Sequence, residues 1–87
     1  MSGKLLDFHA SWCGPCKQFR PVLDELDEEY EDIEFEFIDI EEDMDTANKY
    51  SVQSIPTVVI LNDDDEIHAQ FTGLQQRETI EEQLESL

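Results

Sequence analysis

Along this chain the spacing of apolar residues changes several times, and each change marks an element. Leu5, Leu6 and Phe8 form a short, mainly apolar run over residues 4 to 9, interrupted by Asp7. Such a run predicts a strand covered on both faces. From about Gly14 to Tyr30, Phe19, Val22, Leu23, Leu26 and Tyr30 recur at helical spacing, with Lys17, Asp24, Glu25, Asp27 and Glu28 between them. This is an amphipathic helix, expected to bend at Pro21, which has no amide to donate inside a helix. Ile33, Phe35 and Phe37 alternate with Glu34 and Glu36, and Ile38 and Ile40 flank Asp39. A second strand is therefore predicted over 33–40.

The second half repeats these signals in shorter form. A short helix is expected from about Asp43 to Tyr50, with Met44 and Ala47 facing inward. Val58, Val59, Ile60 and Leu61 suit a central strand. Asn62, Asp63, Asp64 and Asp65 form a turn, after which Ile67, Ala69 and Phe71 alternate with His68, Gln70 and Thr72. The last two strands thus make a hairpin. Gly73 ends the alternation, and Leu74, Ile80, Leu84 and Leu87 offer the inner face of a closing helix. The order β-α-β-α-β-β-α predicts an α/β fold: one domain over residues 1–87, with a four-stranded mixed sheet and helices on both faces. Its first two strands run parallel, because a helix joins them.

Composition narrows the function. The 87 residues include 23 acidic and 5 basic ones, for a net charge of -18, which repels nucleic acid and anionic membrane alike. A hydrophobic fraction of 39% with five Phe argues against the disorder such charge can signal. The acidity fits adaptation to high salt, where counterions screen self-repulsion. No apolar run is long enough to span a bilayer, and Met1, Ser2, Gly3 and Lys4 lead into Leu5 and Leu6 without a signal-peptide pattern. The expectation is a soluble, cytoplasmic monomer.

The chemistry concentrates in Trp12-Cys13-Gly14-Pro15-Cys16-Lys17, where the first strand hands over to the first helix. A sulfur at a helix N-terminus faces unsatisfied amides and the positive end of the dipole, so its thiolate is favoured. Cys13 is thereby the nucleophile. Cys16, one turn on, can close a disulfide with it and is expected to be deeper and less exposed, the resolving thiol. Pro15 suits the first turn of the helix. A staple across two residues constrains little of the unfolded chain, so a purely structural disulfide is a poor explanation. A zinc site wants four ligands, and only His9 and His68 could join the cysteines, from positions unsuited to a tetrahedron. Two inert buried cysteines would not need turn residues between them. No metal or cofactor is expected.

The segment Trp12 to Cys16 resembles the thioredoxin active-site signature. Asp7-Phe8 before it, Ile55-Pro56-Thr57 after it and Gly73 ahead of the last helix fall where thioredoxins carry matching elements. The likeness covers essentially the whole chain. It implies a thioredoxin-like fold and a protein-disulfide reductase that cycles Cys13 and Cys16 between dithiol and disulfide, takes disulfide-containing proteins as substrates and is regenerated by a thioredoxin reductase. It further implies a cis Ile55–Pro56 bond facing the disulfide, with Ile55 offering backbone hydrogen bonds to a bound peptide. Trp12, Gly14, Pro15, Ile55, Pro56, Thr57, Gly73 and Leu74 are the expected substrate-binding residues. Read without the family, Trp12 could be a core residue and Pro56 an ordinary proline at the start of a strand.

Asp7 is the most informative charge. A carboxylate inside an apolar strand pays a desolvation penalty unless protonated, so its pKa should be raised. By the resemblance it takes the proton of Cys16, whereas an Asp at a frayed strand end would do nothing of the kind. Three departures from the family stand out. The strand and helix that usually precede the first strand have no counterpart, as in small archaeal thioredoxins. Phe37 stands where a lysine often lies beside the buried Asp, and losing that cation should raise Asp7 further. His9 stands where many relatives carry an aromatic and reads as a packing or hydrogen-bonding residue. Two rival functions remain: a non-catalytic thioredoxin-like binding module, and a metal-delivery protein.

Overall fold

The first strand is the keystone of the sheet because it has no polar face to give to water. The computed structural model describes residues 3–87, so what was read from Met1 and Ser2 lies outside the described residues. These form β1 (Gly3–His9), α1 (Gly14–Glu29), β2 (Ile33–Asp39), α2 (Met44–Lys49), β3 (Thr57–Leu61), β4 (Ile67–Thr72) and α3 (Arg77–Glu85). The strands lie in the order β2-β1-β3-β4, with β1 and β2 parallel and the other two pairs antiparallel.

Side chains alternate across a strand, so each central strand feeds two cores. On one face Leu5, Val58 and Ile60 pack with Phe19, Leu23 and Leu26 of α1 and Ile80 and Leu84 of α3. On the other, Leu6, Phe8, Val59 and Leu61 meet Ala47 of α2. Helices cover both faces, as the pattern predicts. Phe8 is fully buried, and truncating such a ring to Ala costs about 3–5 kcal/mol. Asp7 shares the α1 side with Leu5, since Leu6 and Phe8 point the other way.

Three expectations need correction. Met44 is 63% exposed; α2 is only one and a half turns long and meets the sheet through Ala47, leaving Met44 at its first position on the rim of a groove. Leu74 is outside α3 and half-exposed, because Gly73 at φ +92° redirects the chain and the helix starts only at Arg77. Ile67 is exposed as well: Ile60 pairs with Ala69 but Leu61 with Ile67, so a bulge at His68 breaks the alternation. Helix α1 is a single element of 16 residues with Pro21 inside it, as the apolar spacing predicts.

Capping and charge complete the frame. Asp43 caps α2, accepting from the Thr46 amide at 3.1 Å. Arg77 ties α3 to α1, with Nη1 2.8 Å from Glu25, Nη2 on Glu29 and Nε 3.4 Å from Glu81. Here one cation serves three carboxylates, the local form of the chain's acidic excess.

Candidate active site

The chain leaves β1 at His9 and turns through Ala10, whose carbonyl accepts from the Cys13 amide at 3.1 Å. That turn delivers Cys13 to the N-cap of α1, with Gly14 and Pro15 opening the helix. Cys13 and Cys16 are joined as a disulfide, Cα to Cα 5.3 Å. The Cys16 amide also donates to Cys13 Sγ at 3.2 Å, so this sulfur occupies the place an Asp or Ser oxygen takes in an ordinary cap. The expected difference in exposure is not found in this oxidised form: Cys13 is 4% and Cys16 5% exposed. A disulfide ties both sulfurs to one spot, so position in the helix, not burial, distinguishes them.

Around the pair the environment has two sides. Ala10, Ile40 and Ile55 pack against the two cysteines. Beyond them a groove of about 450 Å³ is lined by apolar residues including Trp12, Ile40, Met44, Val52 and Ile55. Trp12 is 64% exposed, which removes the core-packing reading, and its Nε1 donates to Glu41 at 3.2 Å. Gly14 and Pro15 are exposed beside it. The Ile55–Pro56 bond is cis, and the Gly73 amide donates to the Pro56 carbonyl at 2.7 Å, which brings the Gly73–Leu74 loop to the same surface. Pro56 and Thr57 are buried. The Thr57 hydroxyl is turned inward onto the Ser54 carbonyl at 2.7 Å, so its side chain is not presented to a partner.

The other side is polar. A cleft of about 140 Å³ is lined by Asp7, His9, Ala10, Ser11, Cys16, Lys17 and Arg20. Asp7 is 2% exposed, not frayed, and its Oδ1 has no hydrogen-bond partner among the described residues. Burial pushes its pKa up to about 6; His9 and Arg20 pull it back, and Asp24 adds to the rise. A carboxyl poised there exchanges protons readily near neutral pH. Arg20 escaped the sequence reading, although it lies one turn beyond Cys16 on the same helix face. Its guanidinium stacks 3.6 Å from the centroid of Phe37, which pairs with Asp7 in the β1–β2 register. Of the histidines, His9 lines this cleft, while His68 bonds Ser86 at 2.7 Å.

Comparison with known proteins agrees with this geometry. The Thioredoxin family model matches residues 2–86. A thioredoxin of Bacillus subtilis is 44% identical over 79 residues, 90% of this chain and 75% of that relative. A thioredoxin of Staphylococcus epidermidis is 41% identical over 83 residues, 94% of this chain and 79% of its own. Among solved structures, oxidised mitochondrial thioredoxin 3 from Saccharomyces cerevisiae superposes with a TM-score of 0.87 at 32% identity, covering 98% of this chain and 78% of that one.

Proposed function

The chain belongs to the thioredoxin family and is a dithiol–disulfide oxidoreductase, a protein-disulfide reductase; from that premise we propose how its residues divide the work. Cys13 thiolate attacks one sulfur of a substrate disulfide. The substrate S–S bond breaks, a mixed disulfide forms, and the first substrate sulfur leaves as a thiolate. Cys16 then loses its proton to Asp7 and attacks Cys13 Sγ. The second substrate sulfur departs, and two electrons have passed from the Cys13/Cys16 dithiol to the substrate. A thioredoxin reductase restores the dithiol, as it does for the family.

One observation carries the assignment of roles: the Cys16 amide aims at Cys13 Sγ, so the same donor is ready to stabilise charge on Cys13 when the disulfide opens. The position of Asp7 in one cleft with Cys16 supports its part as proton acceptor. Substrate polypeptide docks over Trp12, Gly14, Pro15, Ile55, Gly73 and Leu74, with Pro56 and Thr57 shaping the surface from beneath. The protein acts as a monomer in the cytoplasm, at high salt. No helix among the described residues is long and apolar enough to cross a membrane.

Reduction of insulin by dithiothreitol tests the assignment. Turnover is expected to fall to background with Cys13→Ser; unchanged turnover in that variant would return the protein to a non-catalytic binding role.

A further inference from the structure

Asp7 Oδ1 is buried without a hydrogen-bond partner among the described residues, so burial raises its affinity for a proton and the charges around the carboxyl, not a direct donor, adjust it. Its own strand contributes His9, and α1 contributes Lys17 and Arg20 to the cleft, with Asp24 beyond them. The neighbouring strands place Phe37 of β2 and Val58 of β3 opposite Asp7 in register. Neither carries a charge. Phe37 instead offers a platform, on which the Arg20 guanidinium lies 3.6 Å from the ring centroid. Guanidinium is planar and weakly hydrated, so it stacks where an ammonium would stay in water. Asp24 Oδ1 accepts from Arg20 Nε at 2.9 Å and fixes the orientation of the fork. A long side chain that would otherwise sweep solvent is thereby held at the wall of the cleft that contains Asp7 and Cys16.

We propose that Arg20, seated on the Phe37 ring, is a positioning residue for the resolving half of the reaction: together with His9 its charge favours the ionised Asp7 carboxyl against the effect of burial and, through Asp7, influences how readily the Cys16 thiol is deprotonated. The second clause rests on the reading of Asp7 as the proton acceptor for Cys16. The sign follows from electrostatics. A nearby cation favours the ionised carboxyl and offsets part of the penalty of burial. Arg20 thus brings onto Asp7, from a helix, the positive charge that β2 does not supply. Its own contacts are with Phe37 and Asp24.

The test is a carbon-13 NMR titration of the Asp7 carboxyl in the full chain, for wild type, Arg20→Gln, Arg20→Lys and Asp24→Asn. Alongside it, the pH profile of thiolate release from the mixed disulfide with a chromogenic aryl disulfide is followed in single turnovers. In low salt, Arg20→Gln is expected to raise the Asp7 midpoint by about half a unit, Arg20→Lys to recover part of the shift, and Asp24→Asn to lower the midpoint. The release profile should move with Asp7. A purely structural Arg20 would lower the melting temperature and leave both midpoints in place, which overturns the proposal. An Asp7 midpoint that moves while the release profile stays put overturns the link to Cys16, and with it the proton-acceptor reading, but retains the effect of Arg20 on Asp7. If Arg20→Gln does not fold, Phe37→Leu keeps the charge and removes its seat. It must then shift Asp7 in the same direction by less, and an unchanged titration there is equally fatal.

Discussion

Cys13 and Cys16 are linked twice, once through their sulfurs and once through the Cys16 amide, which donates to Cys13 Sγ at 3.2 Å. The amide points at Cys13 Sγ, so it favours negative charge on Cys13 rather than on Cys16.

The first expected outcome concerns the dithiol. In ultraviolet titrations of the reduced protein, one thiolate should appear about a unit or more below the ordinary cysteine value of about 8.5. Cys13→Ser removes that low transition and Cys16→Ser keeps it. Cys16→Ser should also accumulate a mixed disulfide with substrate, visible by mass. A low transition that survives in Cys13→Ser would reverse the two roles.

Asp7 links the reaction to stability. Its pKa in the folded chain is pushed up to about 6 from 3.8, so the native state holds this proton more tightly than the unfolded chain. The associated stability is present below 3.8 and is lost as pH rises through about 6. Asp7→Asn does not ionise, so its stability relative to wild type should grow across that window by about 2–3 kcal/mol, measured by urea unfolding at several pH values. The same variant should slow the resolving step on the order of 10²-fold near neutral pH. A stability difference that does not change with pH would show that Asp7 titrates normally.

Trp12 separates docking from folding. With 64% of its surface in solvent, Trp12→Ala should leave the melting temperature within a few degrees of wild type. It should also lower the efficiency of insulin reduction about tenfold by raising KM, as loss of an exposed aromatic anchor does at a protein interface. Unchanged kinetics would move the docking surface elsewhere.

Salt tests the meaning of the charge. With a net charge of -18, self-repulsion is strongest when the Debye length is long. The melting temperature should climb by about 5 °C or more from millimolar to molar potassium chloride, equivalent to about 1 kcal/mol for a domain of this size. Equal midpoints at both salt levels would remove the argument for a high-salt habitat.

The sequence was most legible where one local pattern had one solution. Leu5, Leu6 and Phe8 required cover on both faces, and the helical spacing from Phe19 to Leu26 located the element that covers one of them. It was less legible at ends and edges. Met44, Ile67 and Leu74 all read as inward residues, yet each lies where a helix starts, a bulge intervenes or a glycine redirects the chain, and a single residue of slip there reverses a side chain. The equal burial of Cys13 and Cys16 was likewise out of reach, because it depends on Ile40 and Ile55 arriving from other parts of the chain.

Residue order alone determined the alternation of strands and helices, the placing of two sulfurs one turn apart at a helix start, and the conflict between Asp7 and its apolar strand, since each arises among neighbours in the chain. Tertiary structure decided which charges surround that carboxylate. Arg20 and Phe37 are distant in sequence and become partners only because β2 lies beside β1 with α1 packed across them. Electrostatic interactions depend on distance through space, and that distance is set by how the elements pack.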